Sequence, residues 1–347
     1  MTRTRELQGY AIALALAVLL PFIEGFAFPG LGLAEDFRPI FIFAILGLGL
    51  NIIVGYTGLL NLGVAAFMAI GAYSYGILTC DIYPFQLSFW SATAATIVVG
   101  ALAGVVLGLP AIRLHGDYLA IVTLGFGEIV QDALRNLETI TKGTQGINPL
   151  PSPRLFGVDF QSGSYLPWYF LLLFILCSVA LLVRNLERSR IGRAWIAVRE
   201  DELAARCMGI NPVRAKLLAF SLGASLCSLA GALWASYLGS TGEPGNYDFQ
   251  VSVIVLCVVM VGGMGSILGV MLGAVVMVGF NSIVLSGLSD LLARQGILSG
   301  ENVFAVPGNW KYFIFGLALI LVTRYRPEGL IPSRVVKIVA PKKAKGA

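Results

Sequence analysis

Leu166-Pro167-Trp168-Tyr169-Phe170-Leu171-Leu172-Leu173-Phe174-Ile175-Leu176-Cys177-Ser178-Val179-Ala180-Leu181-Leu182-Val183 runs without one charged side chain and ends against Arg184. As a helix it approaches the roughly 20 apolar residues that cross a hydrocarbon core. Comparable runs recur from end to end, which one buried helix in a globular protein does not produce. They predict an all-α, polytopic transmembrane bundle. Composition agrees: of 347 residues, 12% are charged and 57% hydrophobic, against roughly a quarter charged in an ordinary soluble domain. So few charges leave no large soluble domain, and 1–335 reads as a single membrane domain followed by a basic tail, 336–347.

Charge in the connecting segments sets the orientation. The segment from Arg184 to Lys216 holds eight Arg or Lys against four acids, and basic residues also mark the N-terminus (Arg3, Arg5) and the tail from Arg324. By the positive-inside rule all three are cytoplasmic. The segment from Glu138 to Ser164 is balanced in charge, and that from Gly239 to Gln250 carries Glu243 and Asp248 with no base. Both should face outward. Between these anchors, spans fall near 10–28, 39–56, 58–79, 88–110, 117–135, 166–183, 217–238, 250–262, 266–288 and 310–325. About ten crossings with both termini cytoplasmic satisfy every charge constraint. The 58–79 and 250–262 segments suit re-entrant loops as well, because glycine and asparagine interrupt the first and the second is short. No Ala-x-Ala site follows the first apolar run, so it reads as a retained helix and not a cleaved signal.

Within the spans, Gly100, Gly104 and Gly108 recur at four-residue spacing, as do Gly265, Gly269 and Gly273. Each row is expected on one helical face, where small residues let backbones approach in a lipid solvent that offers no hydrophobic drive between helices. Polar residues at membrane depth are costly unless they face protein or water. Asn51, Asn61, Glu128, Gln131 and Asn281 are of this kind. Glu128 lies on a stripe near Tyr118, Gln131 and Asp132, so Asn61, Tyr118 and Glu128 are candidates for lining a pathway, with a carboxylate capped by a neighbour or reaching the interface as the alternative.

Other chemistry finds no support. The five cysteines are odd in number, form no Cys-x-x-Cys pair and read as small hydrophobes, and no metal cluster or nucleophile and base pair stands out. His115, the lone histidine, sits beside Arg113 in a short cytoplasmic turn. The net charge of +5 lies in short connecting segments and not on a basic face, so no nucleic-acid partner is expected. There is no Gly-x-x-x-x-Gly-Lys-Ser/Thr, and Gly263-Met264-Gly265 lacks the third glycine of a dinucleotide fingerprint. The chain should bind no nucleotide or other cofactor and be no enzyme.

The cytoplasmic loop, 184–216, carries the most specific signal. From Arg199 through Glu200, Asp201, Glu202, Leu203, Ala204, Ala205, Arg206, Cys207 and Met208 to Gly209 the residues favour helix, with acids first and glycine last. One amphipathic helix over 199–209 is predicted, with Leu203, Ala204, Cys207 and Met208 as its apolar stripe. Such a helix suits either the membrane surface or a groove on a soluble partner.

Ala204-Ala205-x-x-x-Gly209 resembles the core of the loop by which ABC importer permeases contact their ATPases, with Leu203 in the place of the usual glutamate and Glu202 one residue earlier. The longer string, Arg188-Ser189-Arg190-Ile191-Gly192-Arg193 through Arg199-Glu200-Asp201-Glu202 to Met208-Gly209-Ile210-Asn211, is similar to permeases of the branched-chain amino acid importers, LivM type. So are Gly55-Tyr56-Thr57-Gly58 with Asn61-Leu62-Gly63-Val64-Ala65-Ala66-Phe67, Gly116-Asp117-Tyr118 through Gly127-Glu128-Ile129, Val261-Gly262-Gly263-Met264-Gly265-Ser266 and Arg326-Pro327-Glu328-Gly329-Leu330. The matches span roughly 45–330, with departures at Leu60 and Val64 in the early block.

The resemblance implies an inner-membrane subunit that passes leucine, isoleucine and valine. It would pair with a second, LivH-type permease, with two cytoplasmic ATPases of LivG and LivF type that use the ATP, and with a periplasmic binding protein. Arg199, Glu200, Asp201, Glu202, Ala204, Ala205 and Gly209 would then be the ATPase-coupling residues. Urea or short-amide importers share these motifs and remain the alternative. A proton-coupled carrier using Glu128 is the distant one, disfavoured because no internal inverted repeat is visible.

Overall fold

In the computed structural model, residues 17–21, 33–112, 114, 116–155, 158–160, 165–285, 287, 310–326 and 328–332 are described. Most of the expected span 10–28, Arg113, His115, the tail 336–347 and both termini lie outside them. The main helices are α1 (Leu33–Leu50, continued by a π-helical turn, Asn51–Tyr56), α2 (Val64–Thr79), α3 (Phe89–Ala111) and α4 (Asp117–Asn136). They continue with α5 (Tyr165–Arg188), α6 (Arg190–Glu200), α7 (Glu202–Cys207), α8 (Pro212–Leu238) and α9 (Phe249–Gly262). Last come α10 (Ile267–Gly279, continued by a π turn, Phe280–Leu285) and α11 (Lys311–Tyr325). One antiparallel pair, β1 (Arg154–Leu155) with β2 (Val158–Asp159), is the β structure of the described residues.

Among the described residues, six helical stretches are long and apolar enough to cross a membrane: Glu35–Tyr56, Phe89–Ala111, Leu166–Arg188, Pro212–Leu238, Pro244–Gly262 and Ile267–Leu285. Val64–Thr79 and Phe313–Tyr325 are apolar but shorter. α4 has the length, yet it carries Asp117, Glu128, Asp132 and Arg135, and its buried residues are Leu119, Ala120 and Thr123 alone.

α8 is the axis of the bundle and packs on α1, α2 and α3. Pro212 pre-sets its first turn, the Asn211 side chain accepts the Arg214 amide, and Gly239, in the left-handed region at φ 68°, ends it. Close approach is built from missing side chains. A methyl at Gly71 would lie 2.1 Å from the Ser228 carbonyl oxygen, and one at Gly231 2.0 Å from that of Met68. The row Gly100, Gly104, Gly108 faces α8, meeting Ser228, Phe220 and Leu217. The second row is different. Gly265 stands outside the helix, at φ 80° in the turn before α10, because the Ser266 hydroxyl accepts the Gly269 amide and starts the helix at Ile267. Gly262 takes its place in the contact: a methyl there would lie 2.2 Å from the Gly269 oxygen, and one at Gly273 2.1 Å from that of Val258.

Two span boundaries shift for identifiable reasons. α1 begins at Leu33 and not near 39, so it takes in Glu35, Asp36 and Arg38. Pro39 has no N–H for the Glu35 carbonyl; the Arg38 Nε donates to it instead at 3.3 Å. The Arg38 guanidinium is buried, pairs with Glu35 and lies 4.7 Å over the Tyr237 ring, which makes a charge tolerable there. The segment 58–79 is helical only from Val64. Before it, Gly58 is left-handed, the Asn61 Oδ1 accepts the Gly63 amide at 2.8 Å and the Thr123 hydroxyl accepts that of Leu62 at 3.0 Å. These side-chain bonds replace the helical ladder.

Candidate functional site

The run Arg199–Gly209 is two helices and not one. α6 opens on Ser189, whose hydroxyl accepts the Ile191 and Gly192 amides. It stops where Asp201 turns extended, at φ −155° and ψ 111°, and caps α7 by accepting the Leu203 and Ala204 amides at 2.8 and 3.0 Å. Aspartate competes for nearby N–H groups, which makes it a poor interior residue and a good cap. Gly209, at φ 82°, ends the element. Only Ala205 of α7 is buried. Leu203 and Met208 are 73% and 83% exposed, and Ala204, Cys207 and Glu200 are exposed beside them. The apolar stripe is therefore present and, among the described residues, covered by nothing.

The rest of the loop is firmly seated. The Lys216 Nζ, buried in α8, donates to Glu202 at 2.7 Å, and Arg206 donates to the same carboxylate at 2.9 Å. Hydrogen bonding from Lys216, helped by its charge and by Arg206, holds the Glu202 carboxyl below its ordinary 4.5. A depressed folded value stabilises fully above the ordinary one and is lost as pH falls through the folded one. The thermal-stability gap between wild type and Glu202→Gln should therefore close on acidification below 4.5; a gap independent of pH would deny the pair this role.

Trp195 is fully buried, stacks on Tyr56 with centroids 6.4 Å apart and donates its Nε1 hydrogen to the Ala215 carbonyl at 2.8 Å. Tyr56 donates to Glu187 at 3.5 Å. Arg199 donates to the Gly55 carbonyl, at the end of the π turn of α1. Of the expected coupling residues, Arg199 and Glu202 thus bind the loop to the bundle, Asp201 and Gly209 shape it, and the exposed face is Leu203, Ala204, Cys207 and Met208. Trp195, Tyr56 and Lys216 were not expected. A single tryptophan in a charged loop was the available signal.

The pathway candidates do not form one cluster. Asn61 is fully buried in the turn before α2, where its Oδ1 accepts the Gly63 amide. Tyr118 and Glu128 are exposed, on the outward side of α4. Gly125 and Gly127 of the same helix have no described residue within 4 Å of an added methyl. Gln131 donates to the Pro244 carbonyl at 3.2 Å. Among the described residues no group of three or more His, Cys, Asp or Glu could hold a metal ion.

Residues 37–323 match the family profile described as branched-chain amino acid transport system, permease component. The high-affinity branched-chain amino acid permease LivM of Salmonella typhimurium is 38% identical over 84% of this chain and 68% of its own. Its Escherichia coli counterpart is 37% identical over 92% and 73%. A probable LivM of Methanocaldococcus jannaschii is 26% identical over 88% and 94%. No solved structure matches the chain. With the match covering most of the sequence, the chain belongs to the branched-chain amino acid transport system permease family.

Proposed function

We propose that this chain is the LivM-type permease subunit of an ABC importer that passes leucine, isoleucine and valine across a bacterial inner membrane. The observation that carries this reading is the match over 37–323, with relatives named for that transport covering more than two thirds of their length. In this reading the chain crosses the bilayer about ten times with both termini cytoplasmic. It pairs with a LivH-type permease, LivG- and LivF-type ATPases that use the ATP, and a periplasmic binding protein. The chain itself binds no cofactor.

The exposed α7 face is suited to a groove on an ATPase: an apolar stripe on an amphipathic helix whose other side is pinned to α8. The outward side of α4 is suited to the pathway. A membrane helix bearing Tyr118, Glu128 and Asp132 on its exposed side needs water or protein there and not lipid. A branched-chain amino acid carries a zwitterion and an apolar side chain, and a mildly polar wall serves its transit.

The test is reconstitution of the chain with the second permease, the ATPases and the binding protein in vesicles, followed by uptake of leucine, a polar amino acid and urea. ATP-dependent uptake led by leucine is expected. Uptake of urea in its place would move the chain to the amide importers, and uptake driven by a proton gradient alone would remove it from this class. In the same vesicles Glu128→Ala should slow leucine uptake several-fold, by roughly 1 kcal/mol, with the complex still assembled; unaltered kinetics would return Glu128 to a structural role.

A further inference from the structure

We propose that the π turn Asn51–Tyr56 is the joint through which movement of the α6–α7 loop reaches the membrane core, with Arg199 and Asn51 as its two positioning residues. This rests on the reading of that loop as the ATPase contact.

Both ties converge on Gly55. Its carbonyl belongs to the last turn of α1, where a helix leaves acceptors without a helical donor, and the Arg199 guanidinium supplies one. A cation at a helix C-terminus also meets the negative end of the dipole. The stem of Arg199 runs beside Gly58, 3.1 Å from where a methyl on that left-handed residue would be. On the other side of the turn, the Asn51 Oδ1 accepts the Gly265 amide at 2.8 Å. A methyl on Gly55 would lie 2.1 Å from the Asn51 Oδ1 and 2.7 Å from the Gly265 nitrogen. One residue without a side chain is thus held through its carbonyl by the loop and packed through its α-carbon on the bond to the α9–α10 turn.

That second anchor is itself fixed. Gly263 and Gly265 are both at positive φ, and the Leu330 and Ile331 amides donate to the Val261 and Gly262 carbonyls at 2.9 and 3.0 Å. A displacement of α6 therefore meets a braced α9–α10 corner through a two-bond relay. Tyr56, stacked on Trp195 and bonded to Glu187, flanks the same turn.

The π geometry gives the joint a second arrangement to move to. A π turn holds one residue more than an α turn, occurs mostly as a single bulge and is frequent at functional sites. The Asn51 Nδ2 is buried with no partner among the described residues, and a donor left unsatisfied in one state favours any rearrangement that satisfies it. Reversion of 51–56 toward α-helical register would rotate Asn51 relative to Gly265 and shift Gly55 relative to Arg199 together.

The experiment uses the whole importer in vesicles and reads leucine taken up per ATP hydrolysed, for complexes shown to be assembled by size-exclusion chromatography. Asn51→Ala and Arg199→Gln should each lower that ratio about tenfold, the size of an ordinary coupling free energy. Arg199→Lys, which keeps a cationic donor, should recover part of it. An unchanged ratio in Asn51→Ala and Arg199→Gln overturns the proposal, and so does loss of assembly in all three variants, which marks a helix cap and nothing more. The underlying reading fails separately, if the ATPases stay bound after the exposed α7 face is made acidic.

Discussion

Gly231→Ala is expected to remove most of the folded permease, whereas Gly316→Ala leaves it at wild-type yield. In a helix, glycine to alanine ordinarily stabilises by about 0.5–1 kcal/mol. Gly316 in α11 has no described residue within 4 Å of the added methyl, so only that gain applies. At Gly231 the methyl would lie 2.0 Å from the Met68 oxygen and 3.0 Å from the Ala72 nitrogen, both backbone atoms of α2. No rotamer relieves a backbone collision, so α8 and α2 must separate at their closest point. The cost falls at the upper end of overpacking, about 3 kcal/mol or more, in a contact that lipid does not otherwise favour. Monodisperse yield and melting temperature in detergent check this. A Gly231→Ala protein as stable as Gly316→Ala would show that the α8–α2 approach is not what holds the axis.

The second large effect belongs to the loop. Leu203→Glu combined with Met208→Glu should abolish co-purification of the ATPase subunits while leaving the melting temperature of the isolated permease unchanged. Both side chains are more than two-thirds exposed, so neither contributes to the fold. An apolar anchor at the centre of an interface is worth about 2 kcal/mol or more, and burying a carboxylate in its place adds a desolvation penalty. Together they predict at least a hundredfold weaker association, roughly 3 kcal/mol. ATPases that remain bound to the double variant would assign the docking surface elsewhere.

Much of this was legible because lipid constrains sequence more tightly than water does. Runs such as Leu166 to Val183 have one stable fate in a membrane, and the motif string from Arg188 to Asn211 pointed to the family that the comparisons established. The four-residue spacing of Gly100, Gly104 and Gly108 is visible in the sequence, and the row lies on α8. What failed had a local competitor. Asp201 caps a new helix where composition favoured continuity, Ser266 starts α10 one residue past Gly265, and the Asn61 and Thr123 side chains take amides that a helix over 58–79 would have used.

The sequence alone therefore determined that the chain is a helical membrane protein, its family, and the stretch of connecting loop richest in basic residues, since hydropathy and charge are properties of composition along the chain. Only the tertiary structure decided that the loop is two helices, that its apolar face is exposed among the described residues, and that Arg199 and Asn51 meet at Gly55. Those facts depend on which of several polar partners each residue finds. Residues 51 and 55 are far in sequence from 265 and 199, and the hydrogen bonds that join them follow from packing that no local pattern records.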